Sequence, residues 1–352
     1  MCDVAQVSLE HVTVDRGTTR ALADVSIDAA AGTSTVVVGP SGSGKSSLLR
    51  AIAGLDRVTD GSIVFDGVDV TTAGPRERNT SLTFPEPALL TTRNVARNIA
   101  MPLEVRRETA DRITDRVGAG ARVLHIDHLL RREVGQLSVG EAQMVQVARA
   151  LVHLPDVLLL DEPFAAIEGE RAALLRREIR HLQREFGVTA FVSTNNPADV
   201  RDLADRVVVL EGGRVAQAGK VDDVVDHPAT ATAAHLTGDA TVERVTVEAD
   251  GHGAWIVHPA YRVRAWAPVV RRHAGRRLLL LTRPEWWSVV AHGDVEGTVE
   301  RATPWAGTTN ATVEVGGHRI VVRGSGVEAS DRVALKLTNW QLLDPLDGFA
   351  IR

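Results

Sequence analysis

Eight residues, Gly39-Pro40-Ser41-Gly42-Ser43-Gly44-Lys45-Ser46, satisfy the pattern GxxxxGK[ST]. Glycines at this spacing let backbone N–H groups turn inward around a polyphosphate, the N-terminus of a following helix adds its favourable dipole, and the lysine reaches the phosphate oxygens. Gly39, Ser41, Gly42, Ser43, Gly44, Lys45, Ser46 and Ser47 are therefore the candidate phosphate cradle, with the Ser46 hydroxyl offered to Mg²⁺. Lys45 is one of only three lysines in a chain rich in arginine, which marks it as a position where arginine does not serve. A second chemical pair, Asp161-Glu162, follows the apolar run VLLL at 157–160. Asp161 is placed to hold Mg²⁺ from the other side, and Glu162 to orient and deprotonate an attacking water. The other reading of Glu162 is a solvated acid at a strand end.

Both groups need a buried strand behind them. TSTVVV (33–38) is a β-branched run that ends in the glycine-rich turn, and SSLLRAIAG (46–54) reads as a helix closed by Gly54. VSLEHVTV (7–14), DVSID (24–28) and GSIVFDG (61–67) read as further strands, and residues 94–154 are mostly helical in pattern. RAALLRREIRHLQREF (171–186) is an amphipathic helix, with VTAFVS and RVVVLEGGRV supplying strands on either side of the turn after it. Strands and helices that alternate in this way predict a largely parallel sheet covered by helices.

The pattern changes near residue 241. TVERVTVEADG, YRVRAW, LLLLT, GTVERAT, ATVEVGGHRIVVRG and DRVALKL are short strands separated by turns, the spacing of a small barrel or sandwich. All six tryptophans (Trp255, Trp266, Trp286, Trp287, Trp305, Trp340) and the single Tyr261 lie beyond residue 250, so the two ends have different cores. Those tryptophans read first as core of a domain with few other aromatics, and second as stacking surfaces for a sugar or base. GDATV near 238–242 is the expected hinge.

At 352 residues the chain fits two or three compact domains, and a net charge of -5 argues against a nucleic-acid partner. The one cysteine, Cys2, provides neither a disulfide framework nor a structural zinc site, which fits a reducing compartment. MCDVAQVSLEHV lacks the features of a secretory signal. The apolar runs fall far short of the ~18–20 residues that cross a bilayer, so membrane association is expected only through a partner.

The order GPSGSGKSS, LSVGE, VLLLDEP, LADRVVVLEGGRV over residues 7–235 resembles the ATP-binding cassette (ABC) ATPases. TRPEWWSVV (282–290) and the strands around it resemble the small β domain of importer ATPases of the maltose and sugar type, and RERNTSLTFPEPALLTTRNVARNIAMPL (76–103) fits the same group. The fold class implied is α/β: a P-loop NTPase domain (1–237) with a helical subdomain (about 86–155), then an all-β, OB-like regulatory domain (238–352). The resemblance implies ATP and Mg²⁺ as cofactors, two membrane permease subunits, a solute-binding protein acting indirectly, and a peripheral place on the cytoplasmic face of the membrane. It also implies a second cassette, identical or paralogous, whose ATP is capped by the signature residues Ser138 and Gly140. Taken alone, LSVGE reads as a helix start with Ser138 as its cap.

Several family positions are altered. Pro85 stands where the family has a glutamine that contacts Mg²⁺ and water; proline offers no side-chain donor and stiffens the loop. Asn195 stands at the switch-histidine position, where an amide donates a hydrogen bond but relays no proton; NNP is also simply a turn. Val139 adds bulk to the signature and Glu141 adds charge, at about 2–3 kcal/mol per unit of phosphate charge across roughly 5–8 Å. Arg16 aligns with the adenine-stacking aromatic, a role a guanidinium can share, and Glu168 with the aspartate that signals across the dimer. The expectation is a subunit that keeps nucleotide binding and loses part of its coupling to hydrolysis.

Overall fold

The computed structural model describes residues 5–351 apart from 168, 251–252, 266–267, 306–307, 325 and the side chain of residue 305. The chain divides into two compact units, 1–224 and 225–352.

In the first unit, β1 (Val7–Arg16), β2 (Thr19–Ala29) and β3 (Ser34–Val38) precede α1 (Lys45–Ile52). β4 (Asp60–Phe65), β5 (Val68–Asp69) and β6 (Thr80–Thr83) lead to three helices, α2 (Val95–Val105), α3 (Ala110–Val123) and α4 (Val139–Leu151). Strands and helices then alternate as β7 (Val157–Asp161), α5 (Gly169–Glu185), β8 (Thr189–Thr194), α6 (Pro197–Leu203), β9 (Arg206–Glu211) and β10 (Arg214–Lys220). The main sheet has the order β10-β9-β3-β8-β7-β6. Its inner strands pair in parallel, with Val36 opposite Val192 and Leu159 opposite Phe191. Every residue of β3, β7 and β8 is buried, as a parallel sheet covered on both faces requires. Each leucine of VLLL thereby contributes about 1.5–3 kcal/mol of apolar burial. A second, antiparallel sheet, β2-β1-β4-β5, shares a core with α1.

β8 lies between β3 and β7 in the main sheet, so the turns after β3 and β7 flank the turn after β8. Sequence order alone does not show this. The helical stretch read over 94–154 resolves into α2, α3 and α4 with 3₁₀ turns between the last two.

The boundary falls ahead of the expected 237/238. A short helix, α7 (Val221–Asp226), spans the division, and α8 (Ala231–Thr237) belongs to the second unit. Ala234 enters the β core, and buried Arg283 donates to the Ala234 carbonyl at 3.1 Å and to Thr237 Oγ1 at 3.0 Å. Thr241 and Val242 already form part of a paired strand, so GDATV is only partly loop.

The second unit contains β11 (Thr241–Asp250), β12 (Gly253–Val257), β13 (Arg262–Arg264), α9 (Pro268–Arg272), β14 (Arg277–Thr282) and β15 (Trp287–Val290). β16 (Val295–Trp305), β17 (Thr308–Val315), β18 (His318–Gly324), β19 (Arg332–Leu337) and β20 (Gln341–Leu343) complete it. Two antiparallel sheets, β13-β12-β11-β14-β20 and β15-β19-β16-β17-β18, pack on one core that includes Val247, Ile256, Val313 and Val322. Trp286 and Trp287 are buried in it and Trp340 packs against its edge, while Trp255 lies beneath the guanidinium groups of Arg262 and Arg264. Trp266 and the Trp305 side chain lie outside the described residues.

Candidate nucleotide-binding site

The turn from β3 into α1 opens a cleft of about 520 Å³ lined by Arg16, Arg20, Ser41 to Ser47, Glu162 and Asn195. Gly44 has φ +105°, and a Cβ there would meet the Ala21 carbonyl at 2.7 Å, so only glycine completes this turn. Lys45 is 7% exposed, and its ammonium donates to the carbonyls of Gly39 at 2.6 Å and Pro40 at 3.3 Å. Burial lowers its pKa, against the opposing pull of Glu162 and Asp161. Ser43 Oγ is buried in the same turn with no hydrogen-bond partner among the described residues. A folded-in cation beside an orphaned hydroxyl fits a polyphosphate, which would take the ammonium from the two carbonyls and satisfy the hydroxyl.

Asp161 and Glu162 enter from the end of β7. Ser193, at the end of β8, donates its hydroxyl to Asp161 Oδ1 at 2.5 Å. Glu162 adopts φ +47°, a conformation that costs roughly 1–2 kcal/mol for a residue with a side chain. Its N–H is held in return by the carbonyl and the hydroxyl of Ser193, each at 3.1 Å. Its carboxylate lies 3.9 Å from the Lys45 ammonium. Burial raises the Glu162 pKa; Lys45 opposes the shift, Asp161 and Asp199 add to it, and a backbone hydrogen bond from Asn195 opposes it. Ser193 thus aligns both acids, a role the sequence reading did not assign.

Pro85 is exposed and does not line the cleft. The segment around it is fastened by Gln146 of α4, which donates to the Phe84 carbonyl at 2.8 Å and accepts from the Ala88 N–H at 2.9 Å. Arg16 reaches the cleft, but its guanidinium is paired with Asp56, which also holds Arg50. The stacking role expected of Arg16 therefore competes with a formed ion pair. Ser138 and Gly140 lie apart from this cleft, at the start of α4. Ser138 Oγ accepts from the Glu141 N–H, and the Glu141 carboxylate accepts from the Ser138 N–H at 2.8 Å. That capping box turns the Glu141 charge back onto its own helix, 3.9 Å from Arg132, and lowers its pKa. Glu168 lies outside the described residues.

A phosphate turn between a buried parallel strand and a helix, faced by an acidic pair from the next strand but one, defines a P-loop NTPase. Residues 22–165 match the family model described as ABC transporter. The chain is 33% identical over 318 residues to the sn-glycerol-3-phosphate import ATP-binding protein UgpC 1 of Rhizobium johnstonii, covering 90% of this chain and 84% of that protein. It is 40% identical over 224 residues to the sulfate/thiosulfate import ATP-binding protein CysA of Nephroselmis olivacea, covering 64% of this chain and 65% of that protein. A solved dimer of the ATP-binding cassette MJ0796 in a post-hydrolysis state, bound to ADP and Pi, superposes with a TM-score of 0.57 at 26% identity, over 61% of this chain and 98% of that one. The chain belongs to the ABC transporter family, as an ABC-type ATPase carrying a C-terminal β domain. Among the described residues no helix is long and apolar enough to cross a membrane.

Proposed function

We propose that this chain is the ATP-binding subunit of a solute importer that holds ATP firmly and hydrolyses it slowly. The carrying observation is the contrast between the phosphate turn and the residues expected to couple it to hydrolysis. Lys45 turned onto cradle carbonyls beside the unpartnered Ser43 hydroxyl supports phosphate binding, whereas Pro85 lies outside the cleft and Asn195 reaches Glu162 through its backbone N–H.

In this reading Gly39, Ser41, Gly42, Ser43, Gly44, Lys45, Ser46 and Ser47 hold the phosphates, Arg16 faces the base, and Ser46 and Asp161 hold Mg²⁺. Bound Mg-ATP supplies the phosphoryl group and the cation that offsets its charge. Lys45 exchanges its two carbonyl partners for phosphate oxygens. Glu162, made more basic by burial, orients a water and accepts its proton. Without an imidazole at 195, the charge that develops there meets only an amide.

Ser138 and Gly140 act on the nucleotide of a second cassette, which their position away from their own cradle supports. Two permease subunits accept the coupling loop around Pro85 at the cytoplasmic face of the membrane, a solute-binding protein acts indirectly, and the β domain regulates. The C-terminal resemblance and the glycerol-3-phosphate relative support a carbohydrate-class solute. The sulfate relative supports an inorganic oxyanion instead, and uptake of each solute by the assembled importer decides between them.

A second reading, a largely non-hydrolysing half that pairs with an intact paralogue, is favoured by the replaced residues Pro85 and Asn195. Hydrolysis of Mg-ATP by the purified chain, with Glu162→Gln as blank and nucleotide binding followed in parallel, separates the two. Turnover above the blank supports the slow motor. Tight binding with turnover equal to the blank supports the non-hydrolysing half, and absence of binding sinks both.

A further inference from the structure

The β domain contains a cluster that nucleotide chemistry does not use. Glu243 lies on β11, His258 in the turn after β12, and His318 at the start of β18. β11 and β12 belong to one sheet and β18 to the other, so the three meet where the two sheets come together. His318 Nε2 lies 2.6 Å from Glu243 Oε1, and His258 Nε2 lies 4.0 Å from the same oxygen. The two imidazole rings are 4.7 Å apart, and one donor atom from each of the three residues lies within 4.8 Å of the others. Glu243 and His258 are largely enclosed, at 13% and 12% side-chain exposure, whereas His318 keeps 31% and leaves an approach from solvent.

We propose that Glu243, His258 and His318 form a binding site for a divalent transition metal of the Zn²⁺ class, which ties the two sheets of the β domain together. Two imidazoles and one carboxylate are the donor set that borderline-soft ions prefer, with a fourth position left to water. Mg²⁺ and Ca²⁺ prefer all-oxygen shells and are poor occupants.

The surroundings orient these donors. Tyr261 stacks on His258 at 4.5 Å between ring centroids and donates its hydroxyl to Glu243 Oε2 at 2.9 Å, which fixes the carboxylate with Oε1 turned toward both histidines. A hydrogen bond of this kind to a ligating carboxylate tunes affinity without touching the metal. His258 Nδ1 accepts from the Ala260 N–H at 3.2 Å. Coordination through His258 Nε2 moves the ring proton to Nδ1, so this long bond is given up on loading. His318 Nε2 exchanges its bond to Glu243 for the metal in the same step. The competing reading is a cluster in which protons alone link the sheets.

The test titrates the tag-free full chain with Co²⁺ and follows its visible ligand-field absorption, then displaces it with Zn²⁺. A single Co²⁺ with the intense bands of a low-coordinate site, displaced by Zn²⁺, is expected. His318→Gln should weaken binding about 100-fold or more, and Tyr261→Phe about tenfold, the lower end for loss of a supporting hydrogen bond. Lys45→Ala should leave the bands unchanged, which separates this site from the nucleotide cleft. Absence of the bands in the wild type, or equal binding by folded His318→Gln, overturns the proposal. If His318→Gln does not fold, Tyr261→Phe decides: a tenfold loss supports the site and unchanged binding refutes it.

Discussion

Placing a histidine at position 195 tests the coupling argument directly. Asn195 is exposed on the cleft wall, and the neighbouring Asn196, not Asn195, caps α6 by accepting from the Ala198 N–H. Asn195→His should therefore change stability by no more than about 0.5 kcal/mol. Glu162 already receives the backbone N–H of residue 195, so the substitution adds only what the imidazole supplies. A positioned acid–base group contributes about 10²–10⁴-fold, and the lower end applies because Pro85 still replaces the glutamine, so we expect a gain in kcat of about 100-fold, or about 2.7 kcal/mol. The assay is Mg-ATP turnover with ATP affinity measured beside it; affinity should move less than kcat, because the imidazole acts on the reacting phosphate. Two results refute the reasoning: unchanged kcat at saturating ATP, or an equal gain in the Glu162→Gln background, where no carboxylate remains to work with the new ring.

Three further outcomes follow from the geometry. Glu162→Gln should raise the thermal stability of the nucleotide-free chain at pH 7 to 8 and leave it unchanged at pH 4. A carboxyl with a raised folded pKa favours folding fully only below its unfolded pKa, and that contribution is lost as pH rises through the folded value; melting curves at both pH values check the sign. Ser138→Ala should cost about 1 kcal/mol in chemical denaturation by removing the cap of α4. Arg16→Tyr frees Asp56 to serve Arg50 alone and offers a ring for adenine, so a fluorescent ATP analogue should bind about tenfold tighter, within the ~1–3 kcal/mol typical of a base on an aromatic ring.

Much of the cleft was legible because its determinants are local. The GxxxxGK[ST] turn, the buried run before it and the acidic pair after VLLL are short-range patterns, and each takes its place in the cleft or beside it. Ser193 and Gln146 are not legible because their partners are remote in sequence: Ser193 meets Asp161 on the adjacent strand, and Gln146 reaches from α4 to Phe84 and Ala88 in the loop after β6. The spacing Ser138-x-x-Glu141 is that of a capping box, in which the Glu141 carboxylate reaches back to Ser138 instead of projecting its charge outward. In the β domain the longer strands were legible by alternation, but β13, β15 and β20 have only three or four residues each, too few to show a period. The division of the chain falls ahead of 237/238 for a tertiary reason, since α8 is assigned by what Arg283 and Ala234 touch and not by its own composition.

Three of the altered positions share a physical trait that would let binding and coupling separate in the proposed reading. Lys45 and Ser43 are buried between strand and helix, and Asp161 lies under Ser193, so replacing any of them leaves an unpaired polar group or a void in the fold itself. Pro85, Val139 and Asn195 are exposed, where substitution away from special features costs little stability. Drift at the second group is therefore opposed only by selection on turnover, whereas drift at the first is also opposed by folding. Gln146 holds the main chain on both sides of Pro85, at Phe84 and Ala88, so the path of this loop does not depend on the side chain at position 85. It follows that Gln146→Ala should loosen this loop without altering the cradle, lowering any stimulation of turnover by the permease subunits while ATP affinity of the isolated chain stays the same. A loss of ATP affinity in that variant would show that loop and cradle are one unit, and the separation argued from exposure would fail.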